Sequence, residues 1–488
     1  MAIRLTDAAL RQLPAGVSAP GYDRAALTPG ILHFGVGNFH RAHQAAYLDA
    51  LFAKGLGQDF AIVGAGVMPG DARAREVLGA QDWLTTLVEQ EAGRSDARII
   101  GSMIDYLPVA DVAAITARLA DPAIRIVSLT VTEGGYFLDA RDRFDPGHPA
   151  IVADAASPDA PKTVFGLILK GLRARRDAGH APFTVMCCDN IPHNGEVTRG
   201  TLTGLARLSD PAYADWIAAN VAFPNGMVDR ITPATSDRER QICRDEWGIE
   251  DGWPVFCEGF TQWVLEDDFP AGRPPLEEVG VQFVPDVVPF EIMKLRILNA
   301  GHAVIAYPAG LLDVHFVHEA MEHPLVSAFL EKVEREEIIP GVPPVPDTDT
   351  SDYFALIQRR FANPKIGDTV RRLCLDGSNR QPKFVVPAIR DALARGGSVA
   401  GLALESALWC RYCHGTTESG AETAPNDPNW DKLQARARAA KEAPREWLSL
   451  SDVYGDLKDD ETFASAFEAA LTALWRDGTE ATLRAYIG

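Results

Sequence analysis

Apolar residues in the first half of the chain gather into short runs separated by stretches of helical spacing. Residues 31–34, 60–63, 125–131 and 183–187 read as buried strands, and residues 38–51 and 163–178 as helices. Strands alternating with helices imply a parallel sheet covered on both faces, an α/β, doubly wound domain. Past Pro285 and Pro289 the pattern becomes mainly helical, over residues 291–307, 326–336, 353–361, 401–412 and 461–476. The expected division is an α/β domain over residues 1–285 and a mostly α-helical domain over 286–488. Residues 341–347 and 414–429 read as loops, and the Ala/Arg-rich stretch 435–442 as a solvated helix face.

A chain of 488 residues is long for one hydrophobic core, which agrees with two domains. The formal net charge of −20 argues against a nucleic-acid or anionic-membrane partner. No apolar run reaches membrane-spanning length, and the first residues lack the basic head and apolar middle of a secretory signal. The 7 cysteines, odd in number and irregular in spacing, do not form a disulfide framework. A cytoplasmic address and a monomer or weak homo-oligomer are the expectations.

Gly35-Val36-Gly37 follows an apolar strand and opens a helix through Asn38 and Phe39, as a dinucleotide-binding turn does. The third glycine of that fingerprint is replaced by His40, so the motif alone fits an ordinary strand-to-helix turn equally well. Asp71 follows the second strand, where an acid can bond the ribose hydroxyls of NAD; alone, it reads as a solvated loop carboxylate. The positions gain weight together. Gly35, Asp71, Thr132-Glu133-Gly134-Gly135 and Asp189-Asn190 all lie just past a strand's C-terminal end, the edge where open α/β sheets bind ligands.

A second constellation is Glu291, Lys294, Asn299 and His302. At roughly 100° per residue, with Lys294 as zero, Glu291 lies near about 60°, His302 about 80° and Asn299 about 140°. Arg296 falls outside this arc, and Met293, Leu295, Ile297 and Leu298 flank it with apolar surface. An amphipathic surface helix carries such residues too, but the flanks favour partial burial. That set suits alcohol oxidation: a desolvated lysine takes the hydroxyl proton, Asn190 and Asn299 stabilise the alkoxide, and Glu291 passes the proton towards solvent.

The motifs at residues 34–43, 130–136, 188–195 and 228–233, with the Lys294/Asn299/His302 helix, resemble the polyol-specific long-chain dehydrogenases over nearly the whole chain. The resemblance implies a Rossmann-type N-terminal domain, a mostly helical C-terminal domain, and Lys294 as general acid/base. It implies Asn190 and Asn299 as the oxyanion hole and His302 as a substrate-orienting residue. Asp229, Arg372 and Arg380 would contact polyol hydroxyls; family members carry Lys at the position of Arg380, a swap that alters hydrogen-bond geometry. Val228 would lie near the nicotinamide, and Gly35, Val36, Gly37, Asn38, Phe39, Asp71, Thr132 and Glu133 would hold the cofactor. The implied reaction is metal-independent interconversion of an open-chain polyol and its ketose, D-mannitol and D-fructose, with D-arabinitol or D-sorbitol as further substrates.

Some members have Glu immediately before the acid, where this chain has Gly70. Asp71 still disfavours a 2′-phosphate, so NAD is expected; Arg73 and Arg75 leave NADP use open. A hexuronate reductase acting on fructuronate or tagaturonate is the alternative, since Arg372 and Arg380 could clamp a carboxylate. A non-catalytic NAD(H)-binding protein is the other, opposed by the intact Lys294, Asn299 and His302. Cys410-Arg-Tyr-Cys413-His414 matches a haem-attachment pattern but lies in an apolar helix, and two packed cysteines explain it better. His40, His43 and His193 lack structural-zinc spacing, and no metal is expected.

Overall fold

The computed structural model describes residues 2–139 and 143–488. The chain divides into two compact units, Met1–Val287 and Val288–Gly488.

The first unit is built on a 5-stranded parallel sheet. Its strands are β1 (Pro29–Phe34), β2 (Ala61–Ala65), β3 (Met103–Tyr106), β4 (Ile126–Leu129) and β5 (Thr184–Cys187). The spatial order β3-β2-β1-β4-β5 is that of a Rossmann-type sheet, with its switch point between β1 and β4. Side chains alternate faces along each strand. Ile31, Ile62, Ile126 and Met186 join one core with the helix Gln44–Ala53. Leu32, Phe34, Val63, Val127, Leu129 and Val185 join the opposite core, with the helices Val112–Ala120 and Val164–Asp177. Burial on both faces is why these strands read as continuous apolar runs.

A 4-stranded sheet beside it contains the hairpin Thr85–Glu91/Arg94–Ile100, flanked by Val255–Glu258 and Val17–Ser18. A further strand, β6 (Gly226–Asp229), pairs antiparallel with Gln262–Glu266.

The second unit, among its described residues, is helical. Its first element runs from α1 (Val288–Met293) through a π-helical turn (Lys294–Asn299) into α2 (Ala300–Leu311). Around it lie α3 (Thr350–Phe361), α4 (Val370–Leu373), α5 (Gly377–Ala394) and α6 (Ala400–Cys413). Every residue of α6 after Ala400 is buried, Glu405, Ser406 and Arg411 among them, as expected of a mostly apolar helix packed against α2 and Glu461–Asp477. Cys410 and Cys413 are among these buried residues. The Ala/Arg-rich stretch is not wholly solvated: in helix Trp430–Ala440, Ala437 and Ala440 turn inward while the arginines face water. Among the described residues, no helix is long and apolar enough to cross a membrane.

Candidate active site

In the first unit the candidate site is a row of turns at the C-terminal ends of the strands. Gly35 has φ +94°, and a Cβ there would collide with the Thr130 carbonyl oxygen, so only glycine fits. The Thr130 hydroxyl donates to the Gly35 carbonyl at 2.7 Å, stapling the end of β1 to that of β4. Thr130 Oγ1 also lies 3.0 Å from His33 Nε2. On the other side of the ring His33 Nδ1 lies 2.8 Å from Ser128 Oγ. Burial pushes His33 down to about 3, which keeps the ring neutral. His40, in the place of the third glycine, stacks on His33 with centroids 3.5 Å apart, and is likewise held neutral by burial first and by the Arg41 charge after it.

Gly37 caps the short helix Asn38–Ala42, and a Cβ there would meet nothing closer than the Gly35 carbonyl at 3.8 Å. The turn is therefore open to close approach by a pyrophosphate. Buried Arg41 sits beneath it, donating to the carbonyls of Gly37 at 3.2 Å and Trp253 at 2.5 Å and to Asn38 Oδ1 at 3.0 Å. Asn38 in turn donates to the Pro233 carbonyl, at 2.8 Å. Backbone N–H groups, an open glycine and a cation satisfied by neutral acceptors together fit a dinucleotide phosphate.

Asp71 does not lie in a loop. It lies in the first turn of helix Pro69–Gly79, where it accepts the Met68 N–H at 2.8 Å and folds over Gly66, a residue whose missing Cβ leaves it room. Arg75 is committed to the Tyr106 carbonyl at 2.8 Å. Thr132 and Glu133 are exposed just beyond β4, with Thr132 opening a short 3-10 helix (Glu133–Tyr136). Past β5, buried Asp189 precedes exposed Asn190. Burial raises the Asp189 carboxyl, opposed by the hydrogen bonds from Tyr136, Val131 and Thr132. Val228 and Asp229 are buried at the end of β6. His193 adopts left-handed backbone at the N-cap of helix Asn194–Ser209.

In the second unit Lys294 opens the π-helical turn and is buried, as is Glu291 one turn earlier. A uniform α-helix would spread Lys294 and Asn299 apart; this segment instead closes with an i→i+5 bond, Ala300 N–H to the Leu295 carbonyl. In such a turn residues five apart stack on one face, which brings Asn299 into line with Lys294. Arg296 points away and pairs with Asp391 at 2.8 Å. His302, on α2, stacks on Phe361 of α3 with centroids 4.2 Å apart. Burial, then the positive fields of Arg372, Arg360 and Arg380, push His302 well below the usual imidazole range. These arginines therefore belong to the surroundings of His302. Asn299 Oδ1 and His302 Nε2 are buried without a hydrogen-bond partner among the described residues, a cost that suits groups awaiting a polar ligand. Arg372, on α4, is paired with Asp368, and Arg380, on α5, donates to the Leu373 carbonyl at 3.2 Å.

Sequence reasoning overlooked His33, Thr130 and Arg41 as supports of the glycine turn. A histidine inside a buried strand and an arginine in a buried helix are the signals that find them. Phe361 and Asp368, partners of His302 and Arg372, carry no sequence signal.

A Rossmann-type unit with an open glycine turn, followed by a helical unit bearing a buried lysine beside an amide and an imidazole, is the architecture of the polyol-specific long-chain dehydrogenases. The chain belongs to the mannitol dehydrogenase family: the model of its Rossmann domain matches residues 29–278 and that of its C-terminal domain residues 286–475. It is 63% identical over 472 residues to a mannitol 2-dehydrogenase of Cereibacter sphaeroides, covering 96% of this chain and 99% of the relative. A mannitol 2-dehydrogenase of Phaeosphaeria nodorum is 42% identical over 490 residues, 99% of this chain and 86% of the relative. Among solved structures, Pseudomonas fluorescens mannitol 2-dehydrogenase in ternary complex with NAD and D-mannitol superposes with a TM-score of 0.89 at 42% identity, covering 99% of both chains. A substrate-free D-sorbitol dehydrogenase gives 0.90 at 36% identity, covering 98% of this chain and 100% of that one.

Proposed function

We propose that the protein oxidises an open-chain polyol at a secondary alcohol with NAD, D-mannitol to D-fructose and the reverse. The observation that carries this is 63% identity to a mannitol 2-dehydrogenase along nearly its full length. The buried Lys294 on the same helical face as Asn299 supports it.

Bound NAD supplies the hydride acceptor. The turn Gly35–Phe39 and the Thr132–Glu133 segment hold the nucleotide, and Val228 borders the nicotinamide. Asp71 bonds the ribose hydroxyls and repels a 2′-phosphate, which favours NAD; exposed Arg73 leaves a weaker NADP activity. Lys294, desolvated and neutral in the oxidative direction, takes the proton of the reacting hydroxyl while hydride departs from the same carbon. The amides of Asn190 and Asn299 donate to the oxygen as its charge grows. Neutral His302 orients the substrate, Glu291 carries the proton from Lys294 towards solvent, and Asp229, Arg372 and Arg380 bind remote hydroxyls.

A carboxylate-bearing hexuronate is the poorer fit, because Arg372 already holds the Asp368 carboxylate. The test is initial rates on D-mannitol, D-arabinitol, D-sorbitol, D-fructose and fructuronate with NAD(H) and NADP(H). D-mannitol and D-fructose with NAD(H) should give the largest kcat/KM. Faster turnover of fructuronate, or no turnover of any polyol, would refute the assignment.

A further inference from the structure

The backbone just beyond β4 contains a conformation that its side chain disfavours. Thr132 has φ +65° and ψ 162°. That region is populated almost only by glycine, and a β-branched residue there is a genuine outlier. Burial does not compensate: Thr132 is exposed, so no core packing offsets the strain. Glycine is also close at hand in the same turn, at Gly134 and Gly135, yet neither glycine has a positive φ.

One side chain holds the strained peptide. Asp189 Oδ2 accepts the Val131 N–H and Oδ1 the Thr132 N–H, both at 2.9 Å. Oδ2 also accepts the Tyr136 hydroxyl at 2.7 Å, from the other end of the same turn. Since the single phenolic proton goes to the carboxylate, the Cys187 thiol donates to Tyr136 across 2.8 Å. Asp189 is itself fixed by its main chain, its carbonyl accepting the Ile191 N–H at 2.9 Å and the Asn194 amide at 3.2 Å. Asn194 continues to the Gly226 carbonyl at 2.7 Å, at the start of β6. Asn190 lies inside the turn that these bonds close.

We propose that Asp189 is a positioning residue whose carboxylate clamps the Val131–Thr132 peptide in a glycine-like conformation and thereby sets two adjoining groups, the Thr132–Glu133 segment and the Asn190 amide. The clamp itself is read from geometry; its effect on turnover rests on the roles proposed above for Thr132, Glu133 and Asn190.

The experiment is a double-mutant cycle on the full-length enzyme with Asp189→Asn and Thr132→Gly, reading kcat per NADH-binding site, the KM for D-mannitol, NADH affinity and Tm. Asp189→Asn replaces an acceptor with an amide that cannot take both N–H groups, and should lower kcat by about 10- to 100-fold. Glycine adopts the required angles without a clamp, so Thr132→Gly should raise kcat and NADH affinity in the Asp189→Asn background by about fivefold relative to its effect in the native background. A purely structural Asp189 would lower Tm while leaving kcat per binding site native, and strict additivity would show that the two residues are not coupled; either result overturns the proposal. If Asp189→Asn does not fold, Tyr136→Phe removes one donor to the same carboxylate. It should lower kcat by about threefold, with the same coupling to Thr132→Gly, and absence of that coupling overturns the proposal equally. If Asn190→Ala kept native kcat, the oxyanion assignment would fail, while coupling read in NADH affinity would still test the clamp.

Discussion

In the first unit the groups at the candidate site are main-chain segments at strand ends, fixed sideways by Thr130 between β1 and β4 and by Asp189 between β4 and β5. In the second, Glu291, Lys294, Asn299 and His302 are side chains projecting from one helical segment with a π-helical turn. Both units bury titratable groups and hold them towards their neutral forms. In the first these are the imidazoles of His33 and His40 and the Asp189 carboxyl. In the second they are the His302 imidazole and two carboxyls, Glu334, pushed well above the usual range, and Glu405, bonded to Gln381, pushed up to about 8. A sheet edge and a helix thus organise reactive groups by different means.

The largest expected effect lies in the sheet-edge turn. Gly35→Ala puts a Cβ against the rigid Thr130 carbonyl at a positive φ, and no side-chain movement relieves it. NADH titration should show affinity reduced by about 100-fold or more, or the protein should fail to fold by circular dichroism. A near-native affinity would mean that the turn is not rigid.

An intermediate effect is expected in the second unit. Glu405 has its carboxyl raised from 4.5 to about 8, so its folded-state stability is complete below pH 4.5 and declines as pH rises to about 8. Glu405→Gln removes that decline and should raise Tm by several degrees at pH 9 relative to the native protein, with little gain at pH 5. His33 has the opposite sign. Its value falls from 6.5 to about 3, so its contribution is intact above pH 6.5 and is lost as pH drops towards 3. Equal Tm gains for Glu405→Gln at both pH values would dissolve the contrast.

The smallest effect sharpens the comparison between two glycines. A Cβ at Gly301, on α2, would approach Glu334 Oε1 at 3.0 Å, the movable end of a side chain rather than a carbonyl. Gly301→Ala should therefore shift Tm by only a few degrees, the gain in helix propensity of about 1 kcal/mol opposing the displaced carboxyl.

Much of this was legible in the chain itself, for physical reasons that differ by element. Strands such as 31–34 and 183–187 stand out because both faces are buried, and the glycine turn because only Gly35 tolerates its angle. The hairpin Thr85–Glu91/Arg94–Ile100 escaped notice, since its turn end is exposed and polar and breaks the apolar run. Asp71 taken alone reads as a loop acid because a carboxylate capping a helix start and one in a loop have the same composition. The Glu291–His302 set was visible from helical spacing, but the π-turn was not: an i→i+5 bond leaves no compositional mark, so Asn299 was placed too far around from Lys294. Asp189 was noticed for its position past a strand, whereas the strained peptide it holds is a property of φ and ψ alone.

The central claim is that the buried amine of Lys294 exchanges the proton of the reacting alcohol. It is tested most directly by Lys294→Ala, assayed for D-mannitol oxidation and D-fructose reduction across pH alongside NADH titration. The variant should bind NADH with native affinity while kcat falls by about 10²- to 10⁴-fold, and should lose the opposed pH dependence in which the native enzyme's oxidation rises and its reduction falls with pH. Native turnover in the variant, or an unchanged pair of pH profiles, would contradict the account.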